Sequence, residues 1–218
     1  MRIINPSYEI LTPISDGGVE ELKMIERIGR VCYKSEDKIS EDGESARIFV
    51  GGLIKLGHEA MIEHSILSVL FTVDRGVSHE IVRHRECSFA QESTRYCNYS
   101  NDKRFPGGVK FIKPCFFQEG TNEYLEWVKG CEDCEFWYYQ SLKRGAKPQE
   151  ARTVLNNSVK TDIVVTANYR EWRHIFKLRC ANTAHPQIRE VMIPLLMELK
   201  SKIPVIFDDI KVPESAIE

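Results

Sequence analysis

Ser78-His79-Glu80-Ile81-Val82-Arg83-His84-Arg85-Glu86-Cys87-Ser88-Phe89-Ala90-Gln91-Glu92-Ser93-Thr94-Arg95-Tyr96 is the most informative stretch of the 218-residue sequence. Before it, Ser65 to Val73 is rich in β-branched and apolar residues and reads as a buried strand. Gly76 then allows a turn into a short helix running through Arg85. Residues two apart on a helix point in nearly opposite directions, so Arg83 and Arg85 can serve two ligands or two subunits. Arg83, Arg85 and Arg95 can neutralise phosphates through bidentate, charge-assisted hydrogen bonds, with Ser93, Thr94 and nearby backbone N–H groups completing a cradle. The spacing alone also admits a solvated basic helix or a nucleic-acid patch.

Outward from this stretch, Val19, Leu22, Ile25, Ile28 and Cys32 recur at helical spacing, as do Ala46, Phe49, Val50, Leu53 and Ile54. Asn122 to Arg144 reads as a long helix and Asp162 to Thr166 as a second strand. Trp172 to Arg179 and Ile188 to Lys202 read as helices, the latter interrupted near Pro194. Strands and helices mix without a regular βαβ alternation, which predicts an α+β fold with a mixed or antiparallel sheet packed with helices. No GxGxxG follows a strand, so a Rossmann dinucleotide site is not indicated. No repeat, low-complexity run or linker is visible, and residues 1–218 read as one domain.

Hydrophobic residues make up 42% and charged residues 28%, ordinary for a globular protein. The net charge of −2 supplies no whole-molecule attraction to nucleic acid or membrane, so any anionic ligand must be held by local Arg and Lys clusters. The first residues lack the long apolar core of a signal peptide, and no stretch is apolar enough for a transmembrane helix. Seven scattered cysteines suit free thiols in a reducing cytoplasm better than a disulfide framework. Cys131-Glu132-Asp133-Cys134 is a CxxC without a second pair or a nearby histidine; it reads as a helical pair, with a redox or metal role as the alternative. Ser93 with His84 could suggest a hydrolase, but no GxSxG elbow surrounds Ser93.

Arg83-His84-Arg85, seven residues and then Ser93 resembles the RHR-x7-S signature of the flavin-dependent thymidylate synthases. Upstream, Gly57-His58-Glu59-Ala60-Met61-Ile62-Glu63-His64 is similar to that family's GHxSxxEH segment. Downstream, Asn168-Tyr169-Arg170-Glu171-Trp172-Arg173-His174, Lys177-Leu178-Arg179 and Ala184-His185-Pro186-Gln187 resemble its second ligand-binding block. The matches run in the family's order from about Gly57 to Gln187.

The resemblance implies a homotetramer with active sites at subunit interfaces, no metal, and methylation of dUMP to dTMP. FAD would be the cofactor, NAD(P)H (NADPH in particular) the reductant and 5,10-methylenetetrahydrofolate the carbon donor. It implies that Arg179 activates the uracil ring by stabilising it ionised at N3, with no cysteine nucleophile. For dUMP it points to Glu80, Arg83, Gln91, Ser93, Thr94, Arg95, Arg152 and Arg179. For FAD it points to Ala60, Arg83, His84, Arg85, Gln91, Asn168, Arg170 and His174, with His58 on the flavin or folate side. Three positions depart from the family pattern: Ala60 lacks the usual hydroxyl, Glu80 stands where relatives often have Gln, and Gln91 replaces a carboxylate of some relatives. The residues themselves support two of these roles. Arg179 follows the apolar stripe Trp172, Ile175 and Phe176, where an arginine must be paired or meet an anion. Asn168 and Glu171 form a candidate capping pair, opening a helix on which Arg170 and His174 share a face.

Overall fold

The computed structural model describes residues 1–101 and 103–213. Six strands are present among them: β1 (Arg2–Ile4), β2 (Ser7–Ile10), β3 (Ile66–Asp74), β4 (Ser88–Gln91), β5 (Lys110–Ile112) and β6 (Lys160–Asn168). The α-helices are α1 (Val19–Val31), α2 (Glu44–Lys55), α3 (Arg75–Ile81), α4 (Asn122–Lys143), α5 (Pro148–Ala151), α6 (Tyr169–Arg179), α7 (Pro186–Lys202) and α8 (Pro204–Phe207). Strands β2, β3, β6 and β4 form one sheet in that order, while β1 pairs in parallel with β5, Ile3 opposite Phe111. The class is α+β, as the sequence predicts. No described helix is long and apolar enough to cross a membrane.

The chain packs as two compact units, each discontinuous in sequence. One comprises residues 1–8, 70–83 and 89–164. Its core is Tyr99, Val109, Phe111, Cys131, Tyr138, Ala151 and Val159, closed on one side by the long helix α4. The other comprises residues 9–69, 84–88 and 165–218. Its buried residues include Leu22 and Ile25 of α1, Val50 of α2, Trp172 and Phe176 of α6, and Leu195 and Leu199 of α7.

Strand β3 is buried on one face only. Leu67, Val69, Phe71 and Val73 are inaccessible, while the intervening Ser68 and Thr72 meet polar partners on β6, Thr166 (2.7 Å) and Asp162 (2.7 Å). Its apolar run thus belongs to a half-covered strand, not a fully buried one. Two helical expectations are corrected. Helix α3 ends at Ile81, and Arg83-His84-Arg85 lies in turns. Arg83 and Arg85 are exposed and His84 is buried, so the turn provides the divergence attributed to a helix. Helix α7 continues through Pro194, where burial of Val191, Met192, Ile193, Leu195 and Leu196 offsets the lost backbone bond.

Arg173 is buried on α6 and ties three segments of the second unit together. Nε and Nη2 donate to Glu59 Oε1 (3.2 and 3.0 Å), and Nη1 and Nη2 donate to the Asp209 carboxylate (2.6 and 2.7 Å). Nη1 also donates to the Ile206 carbonyl. The bonds from Arg173 hold the Asp209 carboxyl below the usual range. Arg170, one turn away in the same helix, pairs with Glu63 where both are exposed. Arg173→Ala is expected to lower unfolding free energy by about 3–5 kcal/mol, because it strips a buried cation from two carboxylates. Arg170→Ala is expected to cost less than about 1 kcal/mol. Urea unfolding of both variants checks this; equal losses would contradict it.

Candidate active site

In the first unit, β4 ends at Gln91 and the chain turns sharply through Ser93-Thr94-Arg95, with the Tyr96 and Cys97 N–H groups both donating to the Ser93 carbonyl. This turn is anchored from behind. Glu92 accepts from the Tyr99 hydroxyl (2.8 Å) and from Lys160 Nζ (2.9 Å), and its carbonyl accepts from Arg75 Nη2 (3.1 Å). Lys160 also pairs with Asp162. Arg152, just after α5, donates from Nη1 to Thr94 Oγ1 at 2.9 Å. Residues 58 apart in sequence therefore meet as a cationic side chain over a hydroxyl-bearing turn, an arrangement suited to a phosphate. Arg95 is exposed beside it. Gln91 is directed elsewhere: its amide nitrogen donates to Ser78 Oγ (2.9 Å) and Thr161 Oγ1 (3.2 Å). The anchoring roles of Arg75, Glu92 and Lys160 carry no local sequence signal. Glu80 is half-buried near the end of α3, and Arg83 is exposed beyond it.

In the second unit, α6 carries the remaining residues. Asn168 caps it, its side chain accepting from the Glu171 backbone N–H at 2.8 Å, as the capping pair predicts. The Glu171 side chain does not return to the cap. Its carboxylate lies 3.5 Å from Nδ1 of His84. On the other side of that ring, Arg179 Nε donates to His84 Nε2 at 3.0 Å. Burial, the Arg179 charge and His174 lower the His84 pKa from 6.5 to about 4, so the ring is neutral near pH 7. The sign is that of a buried neutral base. Stability from His84 is complete above the ordinary histidine value and is lost as pH falls through about 4. Burial raises the Glu171 carboxyl above its usual range.

A cavity of about 490 Å3 opens along α6, lined by Asn168, Arg170, Glu171, His174 and Lys177 and by Glu59, Glu63 and Glu86. Arg170 and His174 share its wall, as their spacing predicts. A second cavity of about 290 Å3 is lined by Cys32, Tyr33, Phe49, His58, Ala60 and Met61. His58 and Ala60 thus line a different cavity from the one that Asn168, Arg170 and His174 share. The donors of the larger cavity fit the hydrogen-bonding ring edge or hydroxyl chain of a flavin, while its four glutamates disfavour a diphosphate at the same spot. His84, Glu171 and His174 also bring one ligand atom each within 4.8 Å of one another, a grouping that can attract a divalent ion. No cysteine thiol belongs to the Arg152–Thr94 contact or to the His84, Glu171 and His174 grouping. Burial pushes Cys87 up to about 12, Cys180 to about 12 and Cys131 to about 11. Cys131 and Cys134 are both free on α4.

Residues 19–205 match the family model described as thymidylate synthase complementing protein. The flavin-dependent thymidylate synthase of Corynebacterium aurimucosum is 30% identical over 213 residues, covering 90% of this chain and 82% of that protein. That of Mycobacterium avium is 32% identical over 209 residues, covering 91% and 82%. Among solved structures, the UMP/dUMP methylase PolB from Streptomyces cacaoi bound with 5-Br dUMP has a similar fold. Its TM-score is 0.75 at 22% identity, with 95% of this chain and 96% of that one covered.

Thiol accessibility follows from the cysteine environments. Cys32 and Cys115 are exposed, and Cys87, Cys131 and Cys180 are held as neutral thiols near pH 7. Treatment of the native protein with iodoacetamide at pH 7.5 (about neutrality) is expected to alkylate Cys32 and Cys115 first. Peptide mass mapping that finds Cys87 or Cys180 modified as fast would overturn this ordering.

Proposed function

The chain belongs to the flavin-dependent thymidylate synthase family of enzymes, and from that membership we propose that it converts dUMP to dTMP. The carbon donor in this reading is methylenetetrahydrofolate, the cofactor FAD and the reductant NADPH. The observation that carries it is the hydrogen bond from Arg152 to Thr94, which joins two stretches that the family pattern assigns to one nucleotide. A doubly charged phosphate over that turn would gain charge-assisted bonds from Arg152 and Arg95, and Ser93 would add its hydroxyl.

Ring activation falls to Arg179. Uracil C5 is a poor nucleophile until the ring is ionised, and an anionic ring needs a cation that stays protonated at every working pH. A guanidinium does so, and its planar fork can meet a ring nitrogen and the neighbouring carbonyl oxygen together. Raised thiol pKa values at Cys87 and Cys180 support activation without a thiolate. When bound, the flavin supplies the reducing equivalents that turn the transferred carbon into a methyl group, which no side chain can do. Asn168, Arg170 and His174 would hold it along α6. His58 and Ala60 border the smaller, more apolar cavity, which suits a flat aromatic ring on the folate side.

The family matches span most of 1–218, which supports reading the chain as one functional domain. A homotetramer with active sites at subunit interfaces would bring further arginines to the acidic cavity. Seven free cysteines among the described residues suit a cytoplasmic enzyme.

Anaerobic incubation with dUMP, methylenetetrahydrofolate, FAD and NADPH is expected to yield dTMP, and a lack of product would overturn the reading. Arg179→Ala is expected to cut single-turnover dTMP formation by on the order of 100-fold, the effect of losing ~3 kcal/mol of transition-state stabilisation. Bleaching of the flavin by NADPH in the same preparation is expected to persist. Near-normal methylation by this variant would assign activation elsewhere.

A further inference from the structure

We propose that His84 is a positioning residue for Arg179, its imidazole accepting from the guanidinium while Glu171 fixes the ring's tautomer. The proposal deepens the reading above and rests on Arg179 acting on the pyrimidine. Its foundation is donor and acceptor identity. A guanidinium has no acceptor, so the nitrogen facing Arg179 Nε at 3.0 Å must present a lone pair. The single proton of the neutral ring then sits on Nδ1, the nitrogen that faces the Glu171 carboxylate at 3.5 Å. Each end of the ring thus faces a group of the right polarity: Arg179 donates to Nε2, and the Nδ1 proton points to the side of the Glu171 carboxylate, 3.5 Å away.

The surroundings enforce this arrangement. His84 is 6% exposed, so a wrong tautomer would set donor against donor where water cannot relieve it. An imidazolium would do the same and add charge repulsion with Arg179. Burial and the Arg179 charge oppose that form. His174 meets His84 edge-on, with ring centroids 6.0 Å apart, and limits tilt of the ring. Glu171 is itself placed by the Asn168 cap at the start of α6, and Arg179 ends the same helix. Helix α6 therefore carries both outer members of the series, and the turn after α3 inserts the middle one. The bond holds the guanidinium at Nε through a neutral acceptor. In Arg83-His84-Arg85, the central residue works inward on the activating arginine, while its neighbours face solvent.

The test compares His84→Leu, which cannot accept a hydrogen bond, with His84→Gln, whose carbonyl oxygen can. Each is made alone and with Arg179→Ala. Single-turnover dTMP formation at saturating dUMP and flavin bleaching by NADPH are followed on each preparation. His84→Leu is expected to slow methylation by on the order of 10- to 100-fold more than it slows bleaching, the range for a lost hydrogen bond to a charged group. His84→Gln is expected to recover most of that loss. With Arg179→Ala already present, His84→Leu is expected to cost little more, because the two act as one unit.

Equal slowing of both steps, or additive losses in the double variant, would overturn the proposal and make His84 a flavin contact or a packing residue. Nitrogen-15 spectra of the imidazole provide a check that needs no turnover. The Nδ1–H tautomer at neutral pH, with an Nε2 signal that shifts in Arg179→Ala, is the expected result; the opposite tautomer would overturn the proposal even if the Leu variant failed to fold. Failure of the functional reading looks different, since the unsubstituted protein would then form no dTMP.

Discussion

Burial of Trp172, Ile175 and Phe176 fixes the rotation of α6, and almost everything in the second unit's site follows from that rotation. Trp172 is further locked by its indole N–H, which donates to the Leu67 carbonyl of β3 at 3.0 Å. With this stripe turned inward, Arg170, His174 and Lys177 must line the open face, and Arg179 falls at the stripe's edge, half-buried. Arg173 is buried by the same rotation and turns that position into a clamp on Glu59 and Asp209. One apolar stripe therefore sets a cavity wall, a structural ion-pair network and the candidate activating residue. Each of the three buried side chains adds roughly 1.5–3 kcal/mol of burial to hold them in place.

The electrostatics of the two residue groups differ in a way that suits different ligands. Around Ser93-Thr94-Arg95, the Glu92 and Asp162 carboxylates are both paired with Lys160, and Arg152 meets the hydroxyl of Thr94. Arg95 and Arg152, both exposed, are the cations that a phosphate at this turn would meet. Along α6, Glu59, Glu63, Glu86 and Glu171 outnumber Arg170 and Lys177. That cavity favours neutral hydrogen-bonding groups over a diphosphate, so its polarity constrains which part of a dinucleotide cofactor it can accept.

Much of this was legible in the sequence, for physical reasons that can be named. The periodicity of Val19 to Cys32, of Ala46 to Ile54 and of Asn122 to Arg144 marks helices because each buries one stripe. Asn168 announces a cap because its side chain can satisfy an orphan N–H two or three residues on. What escaped the sequence depends on distant parts of the chain. Strands β1 and β5 have three residues each, too few to alternate visibly, and exist through pairing with each other. Glu171 reads as the second half of a capping box, yet its carboxylate serves residue 84 because the fold brings that ring within reach. The Glu92–Lys160 pair spans 68 positions and has no local signal. Pro194 reads as a break, but the burial of both flanks of α7 outweighs one missing backbone bond.

The central claim is that Arg179 stabilises uracil ionised at N3, and the ring itself reports this most directly. Nitrogen-15 NMR of dUMP labelled at N3 and bound to the protein, followed across pH, measures the ionisation in place. The account requires the N3 proton to be lost at a lower pH in the complex than in free dUMP. A bound ring that titrates as free dUMP does would contradict it.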